Sequence, residues 1–360
     1  MDEKENSAGA ELVDLLSLTP DELASLMGKI GEPQYRAKQL FSGLHKGLSP
    51  ENITTLGKNT IKKLREVSYF HLPSVERRLF SAKDGTRKYL FRLRDGNLVE
   101  GVLMKYKHGN SICVSTQVGC RMGCAFCAST IGGKVRDLAP SEILGQIIAA
   151  EKDLGERISH VVMMGIGEPL DNYENVVKFL RLVGDPDGIN ISYRHISLST
   201  CGLADKIDIL ARENFPITLS VSLHAASDDL RSGIMPINRK WNIDALLAAC
   251  ARYFAATGRR LSFEYTLIKG KNDTKEEAER LAALLNAKLR NGGSNMPVHV
   301  NLIPVNPVSG KSFSASDRES VHAFARILEK NGIRATVRRT LGADIGASCG
   351  QLRRSAALKE

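Results

Sequence analysis

Cys120-Arg121-Met122-Gly123-Cys124-Ala125-Phe126-Cys127 puts three thiols within eight residues, and what surrounds this stretch decides the fold. A strand-forming run, 112–115, leads into it. Similar runs recur at 160–164, 195–199, 218–223, 262–268 and 299–303. Segments with helical periodicity fall between them at 141–152, 175–183, 204–214, 243–257 and 274–289. A last helix, 316–331, precedes an extended 336–339. Repeated strand–helix units predict a parallel sheet, open or closed as a barrel. In such folds the reactive centre lies at the C-terminal ends of the strands, and the cysteines follow one of those ends.

Toward the N-terminus the pattern changes. Asp84-Gly85 and Asp95-Gly96 read as hairpin turns, with strand formers at 88–94 between them and a further strand at 98–105. Residues 75–110 therefore predict a short antiparallel meander. Thr19-Pro20-Asp21-Glu22 has the form of a capping box with proline at the first helical position. Leu23, Leu26, Met27 and Ile30 follow at helical spacing, and Gly31 and Pro33 end that helix. Two more helices, through 35–41 and 61–67, complete a small basic helical domain. The expected division is 1–74 helical, 75–110 meander, 111–340 βα barrel, and 341–360 loop and tail.

A chain of 360 residues, 42% hydrophobic and 25% charged, has an ordinary globular composition. It lacks a run of about 18 apolar residues, and its acidic start does not resemble a signal peptide. A cytoplasmic protein with no membrane contact is expected. The net charge is +10, but residues 1–30 carry −5, leaving +15 for the remainder. A body this basic favours a polyanion. Arg36, Lys38, Lys58, Lys62, Lys63 and Arg65 are candidate phosphate contacts in the helical domain, as are Arg338, Arg339, Arg353 and Arg354 near the C-terminus.

Seven cysteines, an odd number in a long chain, point to metal or redox chemistry rather than a disulfide scaffold. At Cys-x3-Cys-x2-Cys spacing, Cys120, Cys124 and Cys127 can hold three irons of a 4Fe–4S cluster and leave the fourth open. An open iron can chelate the amino and carboxylate groups of S-adenosylmethionine and pass one electron to its sulfonium. Cleavage of the C–S bond then yields a 5′-deoxyadenosyl radical, with the protein supplying geometry and shielding. Phe126 suits the shielding. The competing readings are a zinc site completed from elsewhere, in an RNA-binding protein without catalysis, or ordinary buried cysteines. Zinc ribbons present paired Cys-x2-Cys units, and no second pair is present.

The cysteine motif resembles the signature of the radical S-adenosylmethionine superfamily, as does Gly165-Ile166-Gly167-Glu168-Pro169-Leu170 after the second strand. Cys113 through Cys120, Ser222-Leu223-His224, Met235-Pro236-Ile237-Asn238, the stretch Asn301 to Asn306, and Asp344 to Leu352 resemble the RlmN and Cfr family of RNA methyltransferases. The likeness runs from about residue 33 to residue 352. It implies a partial (β/α)6 barrel, one 4Fe–4S cluster and two S-adenosylmethionine molecules per turnover. It implies Gly167, Glu168, Ser199, Ser222, Leu223, His224 and Asn306 as cofactor-binding residues. It also implies three roles in catalysis: Cys349 becomes S-methylcysteine and forms a crosslink to adenine, Cys113 resolves that crosslink through a transient disulfide, and Glu100 accepts a proton. Adenine C2 and C8 are electron-poor carbons, so methylation there needs a radical. The implied substrates are 23S rRNA, methylated at C2 of an adenine, and tRNA, with an electron donor such as flavodoxin and a monomeric enzyme. Methylation at C8 is the alternative. Pro169 favours C2, because Cfr-type chains tend to carry alanine there, whereas Met104-Lys105-Tyr106-Lys107 is closer to them. Ser348 stands where alanine is common.

Overall fold

The computed structural model describes residues 12–290, 296–306, 308 and 310–348. The N-terminal part pairs a two-residue strand, β1 (Val13–Asp14), with β2 (Ser68–Tyr69) around three helices: α1 (Pro20–Lys29), α2 (Tyr35–His45) and α3 (Lys58–Val67). The capping box forms as the sequence predicts. Thr19 Oγ1 accepts from Glu22 N at 3.3 Å, and Glu22 Oε2 accepts from Thr19 N at 2.8 Å. Gly31 takes φ +68° beyond the helix end, a conformation that favours glycine.

The meander is β3 (Ser74–Phe80), β4 (Arg87–Arg92), β5 (Leu98–Tyr106) and β6 (Gly109–Cys113), antiparallel throughout. Gly85 and Gly96, at φ +73° and +83°, occupy the first two turns. A short antiparallel pair follows, β7 (Gln117–Gly119) with β8 (Lys134–Asp137), and it brackets the cysteine loop.

The βα series then runs α4 (Pro140–Leu154), β9 (Ile158–Met163), α5 (Tyr173–Gly184), β10 (Ile196–Thr200), α6 (Ala204–Glu213) and β11 (Thr218–Ser222). It continues with α7 (Asp228–Ile234), α8 (Ile243–Thr257), β12 (Leu261–Leu267), α9 (Lys275–Leu285), β13 (His299–Pro304), α10 (Arg318–Lys330) and β14 (Arg334–Val337). One sheet of ten strands has the order β14-β13-β12-β11-β10-β9-β6-β5-β4-β3. The seven strands from β14 to β6 are mutually parallel. The sequence predicts six barrel strands and an extended 336–339; that last segment joins the sheet as a seventh. β6 pairs antiparallel with β5 and parallel with β9, so meander and barrel share one sheet.

All seven residues of β12 are buried, as expected of a parallel strand covered on both faces. No ladder joins β14 to the far end of the sheet among the described residues. Side chains cross there instead. Ser81 Oγ donates to Asp344 Oδ1 at 2.8 Å, and Asp84 Oδ2 accepts from Gly342 N at 2.9 Å. No helix is long and apolar enough to cross a membrane.

Candidate active site

The C-terminal ends of the parallel strands open into one cavity, and most of the residues expected to hold cofactor meet on its wall. Cys120, Cys124 and Cys127 line it, together with Gly167, Glu168, Ser199, Ser222, His224 and Asn306. Leu223 does not: its side chain is fully buried in the main core. Alternation in β11 accounts for this, since the residue between two cavity-facing neighbours must turn away.

The three thiols stand around the cavity wall; among the described residues no three His, Cys, Asp or Glu side chains converge tightly enough to hold a single ion. Burial pushes the Cys120 thiol up to about 12 and Cys124 well above its ordinary range. Thiolates there need a cationic centre to pair with, which is what an iron–sulfur cluster supplies on binding. Phe126, between the second and third cysteines, meets the His224 ring edge-on at 4.9 Å and closes one side.

The Gly165–Glu168 segment is tightly packed. A Cβ on Gly165 would lie 2.6 Å from the Val114 carbonyl oxygen, and one on Gly167, at φ +108°, 2.7 Å from Gln117 Cβ. Glu168 is 4% exposed. Its two carboxylate oxygens accept from Leu170 N at 3.0 Å and Cys201 N at 2.7 Å, and its own N–H donates to Gln117 Oε1 at 2.9 Å. Burial raises its pKa despite these bonds. The carboxylate thus ties the end of β9 to the end of β10 while bordering the cavity.

His224 sits at φ +59° just after β11. Its Nδ1 accepts from Thr266 N at 2.9 Å, so the neutral ring carries its proton on Nε2. Burial lowers its pKa to about 3, which keeps the ring uncharged at neutral pH.

Several wall residues escape the sequence reading. Cys201, Glu264 and Arg338 also line the cavity. Cys201 reads as a small loop residue, whereas Cys250 is fully buried in the core as expected. Glu264 accepts from Asn301 Nδ2 at 2.7 Å, and Arg338 Nη1 donates to Met164 Sδ at 3.3 Å. Arg231, fully buried, donates to the carbonyls of Cys201, Ser222 and Leu223 at 2.8 to 3.0 Å and fixes two of the wall-forming loops from behind.

Cys113 and Glu100 lie beside this cavity, on the adjacent strands β6 and β5. Cys113 is directly opposite Val102, two residues along from Glu100, so all three share a face. Glu100 is 3% exposed, not solvated as a strand-end acid usually is. Val102, Met104, Cys113, Ile166 and Ala347 form one apolar cluster, and Met164, a cavity residue, packs against it. Ser115 Oγ donates to the Glu100 carbonyl at 2.7 Å and accepts from Ile166 N at 2.9 Å, linking the two regions. Cys349 lies outside the described residues, as do Arg353 and Arg354.

Acids already engage most of the basic residues of the helical domain. Arg36 and Lys63 pair with Glu32, Lys38 with Asp187, and Arg65 with Glu51. Lys58 and Lys62, exposed on α3, have no ion pair among the described residues.

Comparison with known proteins agrees with this geometry. Residues 114–285 match the model of the radical SAM superfamily. A protein of Clostridium novyi (strain NT), named probable dual-specificity RNA methyltransferase RlmN, is 48% identical over 344 residues, covering 95% of this chain and 98% of its own. One of the same name from Clostridium botulinum (strain Eklund 17B / Type B) is 51% identical over 343 residues, covering 95% and 96%. The chain belongs to the RlmN family of radical SAM methyltransferases. A crystal structure of a radical SAM methyltransferase from Sphaerobacter thermophilus superimposes with a TM-score of 0.89 at 42% identity, over 95% of this chain and all of that one. Membership of the RlmN family and the radical SAM superfamily implies S-adenosylmethionine and a 4Fe–4S cluster as cofactors. The three thiols and the polar strand ends around a single cavity fit both.

Proposed function

We propose that this chain methylates C2 of an adenine in 23S rRNA, and of an adenine in the tRNA anticodon loop, through S-methylcysteine on Cys349. The observation that carries the reading is the cluster that joins Cys113 to Ala347, two residues before Cys349, against Met164 on the cavity wall. It draws the chain leading to the proposed nucleophile toward the proposed resolving thiol and toward the thiols that would hold iron. The relatives' shared name, a dual-specificity RNA methyltransferase, supports the substrate class.

Bound in the cavity on Cys120, Cys124 and Cys127, the cluster and S-adenosylmethionine supply methyl groups and a 5′-deoxyadenosyl radical. The chain's own residues do the rest. Ser199, Ser222 and Asn306 offer hydroxyl and amide groups to a ribose or an amino-acid tail. Neutral His224 offers its Nε2 proton, and Phe126 with Met122 excludes water. Cys349 takes a methyl group as thiolate, the side chain best suited to that displacement. Glu100 accepts a proton from the RNA adduct, and Cys113 attacks the Cys349 sulfur to release the methylated base. The helical domain meets the RNA backbone with Lys58 and Lys62. We place the enzyme in the cytoplasm as a monomer served by an electron donor such as flavodoxin.

Anaerobic reaction of the reconstituted enzyme with a 23S rRNA fragment and with tRNA, followed by nucleoside mass spectrometry, tests the reading. 2-Methyladenosine from both is expected. 8-Methyladenosine would overturn the C2 assignment, and no methylated adenosine from either RNA would overturn the substrate class.

A further inference from the structure

Lys88 is 7% exposed on β4, in a stretch of sequence that otherwise reads as a plain half-polar strand. A buried ammonium requires partners. Its Nζ lies 2.8 Å from Glu100 Oε1 and donates to the Gly346 carbonyl at 3.1 Å. Register explains the first contact. Lys88 is opposite Val102 and Leu90 opposite Glu100, so Lys88 and Glu100 are diagonal neighbours on one face. Val102 in turn is opposite Cys113. The second contact crosses to the loop after β14, three residues before Cys349.

The remaining bonds of that loop fall differently. Asp84 and Ser81 hold its start, at Gly342 and Asp344. Ala347 N and Ser348 Oγ bond back to the Gly342 and Leu341 carbonyls, within the loop itself. Lys88 therefore ties the far end of the loop to the sheet, and does so with the group that neutralises Glu100.

We propose that Lys88 is a positioning residue for RNA methylation, holding Glu100 as a carboxylate and the Cys349 loop in register with Cys113 through one ammonium. The proposal rests on the roles given above to Cys349 and Glu100. An ammonium has three donors in compact geometry, enough to meet a carboxylate and a carbonyl together. Without its charge, the buried Glu100 carboxyl favours the protonated form, which accepts no proton.

The test uses the full-length, cluster-loaded enzyme with Lys88→Met, Lys88→Arg, Glu100→Gln and Cys349→Ala. The readouts are iron content, 5′-deoxyadenosine released per methylated adenosine, and covalent protein–RNA adduct. Lys88→Met is expected to keep its iron and its 5′-deoxyadenosine release while methylated product falls by about ten- to a hundredfold, the scale of a misplaced catalytic group. Adduct should accumulate as in Glu100→Gln, and Lys88→Arg should recover part of the product. A Lys88→Met enzyme whose ratio of 5′-deoxyadenosine to product matches the parent overturns the proposal. If Lys88→Met does not fold, the same ratio in Lys88→Arg decides: a parental value with no adduct overturns it. Methylation by Cys349→Ala would instead remove the reading of Cys349, a result separable from any Lys88 outcome.

Discussion

Arg231 carries no reactive chemistry, yet the cavity depends on it. Its guanidinium spans the carbonyls of Cys201, Ser222 and Leu223 and the side-chain oxygen of Asn238, the last at 2.9 Å. Replacing it with methionine keeps much of the volume and removes every donor. We predict that Arg231→Met destabilises the fold by about 3–5 kcal/mol, the scale of breaking a buried charged network. Denaturant unfolding checks this, and S-adenosylmethionine affinity should fall with it. In sequence, Arg231 in Asp228-Asp229-Leu230-Arg231 looks like any solvated helix residue. Lys88, in a run of alternating apolar and basic residues, looks like a strand's wet face. The cysteines and Gly167-Glu168 are legible because their chemistry fixes their spacing. Arg231, Lys88 and Gln117 are not, because only the fold decides which charged or amide side chain is enclosed.

Elements with strong local signals form where the residues predict them. The predicted helix 243–257 is α8 to the residue, capped by Asn242, whose Oδ1 accepts from Ala245 N at 2.9 Å. The predicted 274–289 ends early: α9 stops at Leu285 and a five-residue π turn, Asn286–Arg290, follows. Helix α7 is missed, since seven residues inside a strand–helix connection cannot show an amphipathic repeat. Docking of α2 on the barrel brings a pH dependence. His45, in its last turn, is buried, and its Nδ1 accepts from Ile189 N at 3.3 Å. Burial lowers its pKa from 6.5 to about 4. The unfolded chain then takes up a proton that the folded chain refuses, so this contribution is complete above about pH 6.5 and is lost as pH falls toward 4. Its size is roughly 1.4 kcal/mol for each unit of the difference. We predict that His45→Asn, which cannot titrate but keeps an acceptor, flattens the fall in melting temperature between pH 6.5 and 4.

At the scale of the molecule, charge governs the encounter with RNA. A net charge of +10 makes binding depend on counterion release. Binding to an RNA fragment should weaken at least about tenfold between roughly 50 and 200 mM salt. Because acids occupy Arg36, Lys38, Lys63 and Arg65, Lys58→Glu with Lys62→Glu should lower the magnitude of the salt slope by about 2, measured by fluorescence titration. An unchanged slope would place the RNA elsewhere. Composition reveals that the chain is basic; it does not reveal which bases are already neutralised, because ion pairs such as Lys38 with Asp187 join residues far apart in sequence.

The ends of the ten-stranded sheet meet through Ser81, Asp84 and Lys88 rather than through a strand ladder. A wall closed by rungs of backbone parts cooperatively or not at all. One closed by single side-chain bonds, each worth about 1 kcal/mol, has a seam. A threaded loop of folded RNA has no free end to pass through a sealed ring, so a seam beside the cavity is the one kind of closure compatible with such a guest.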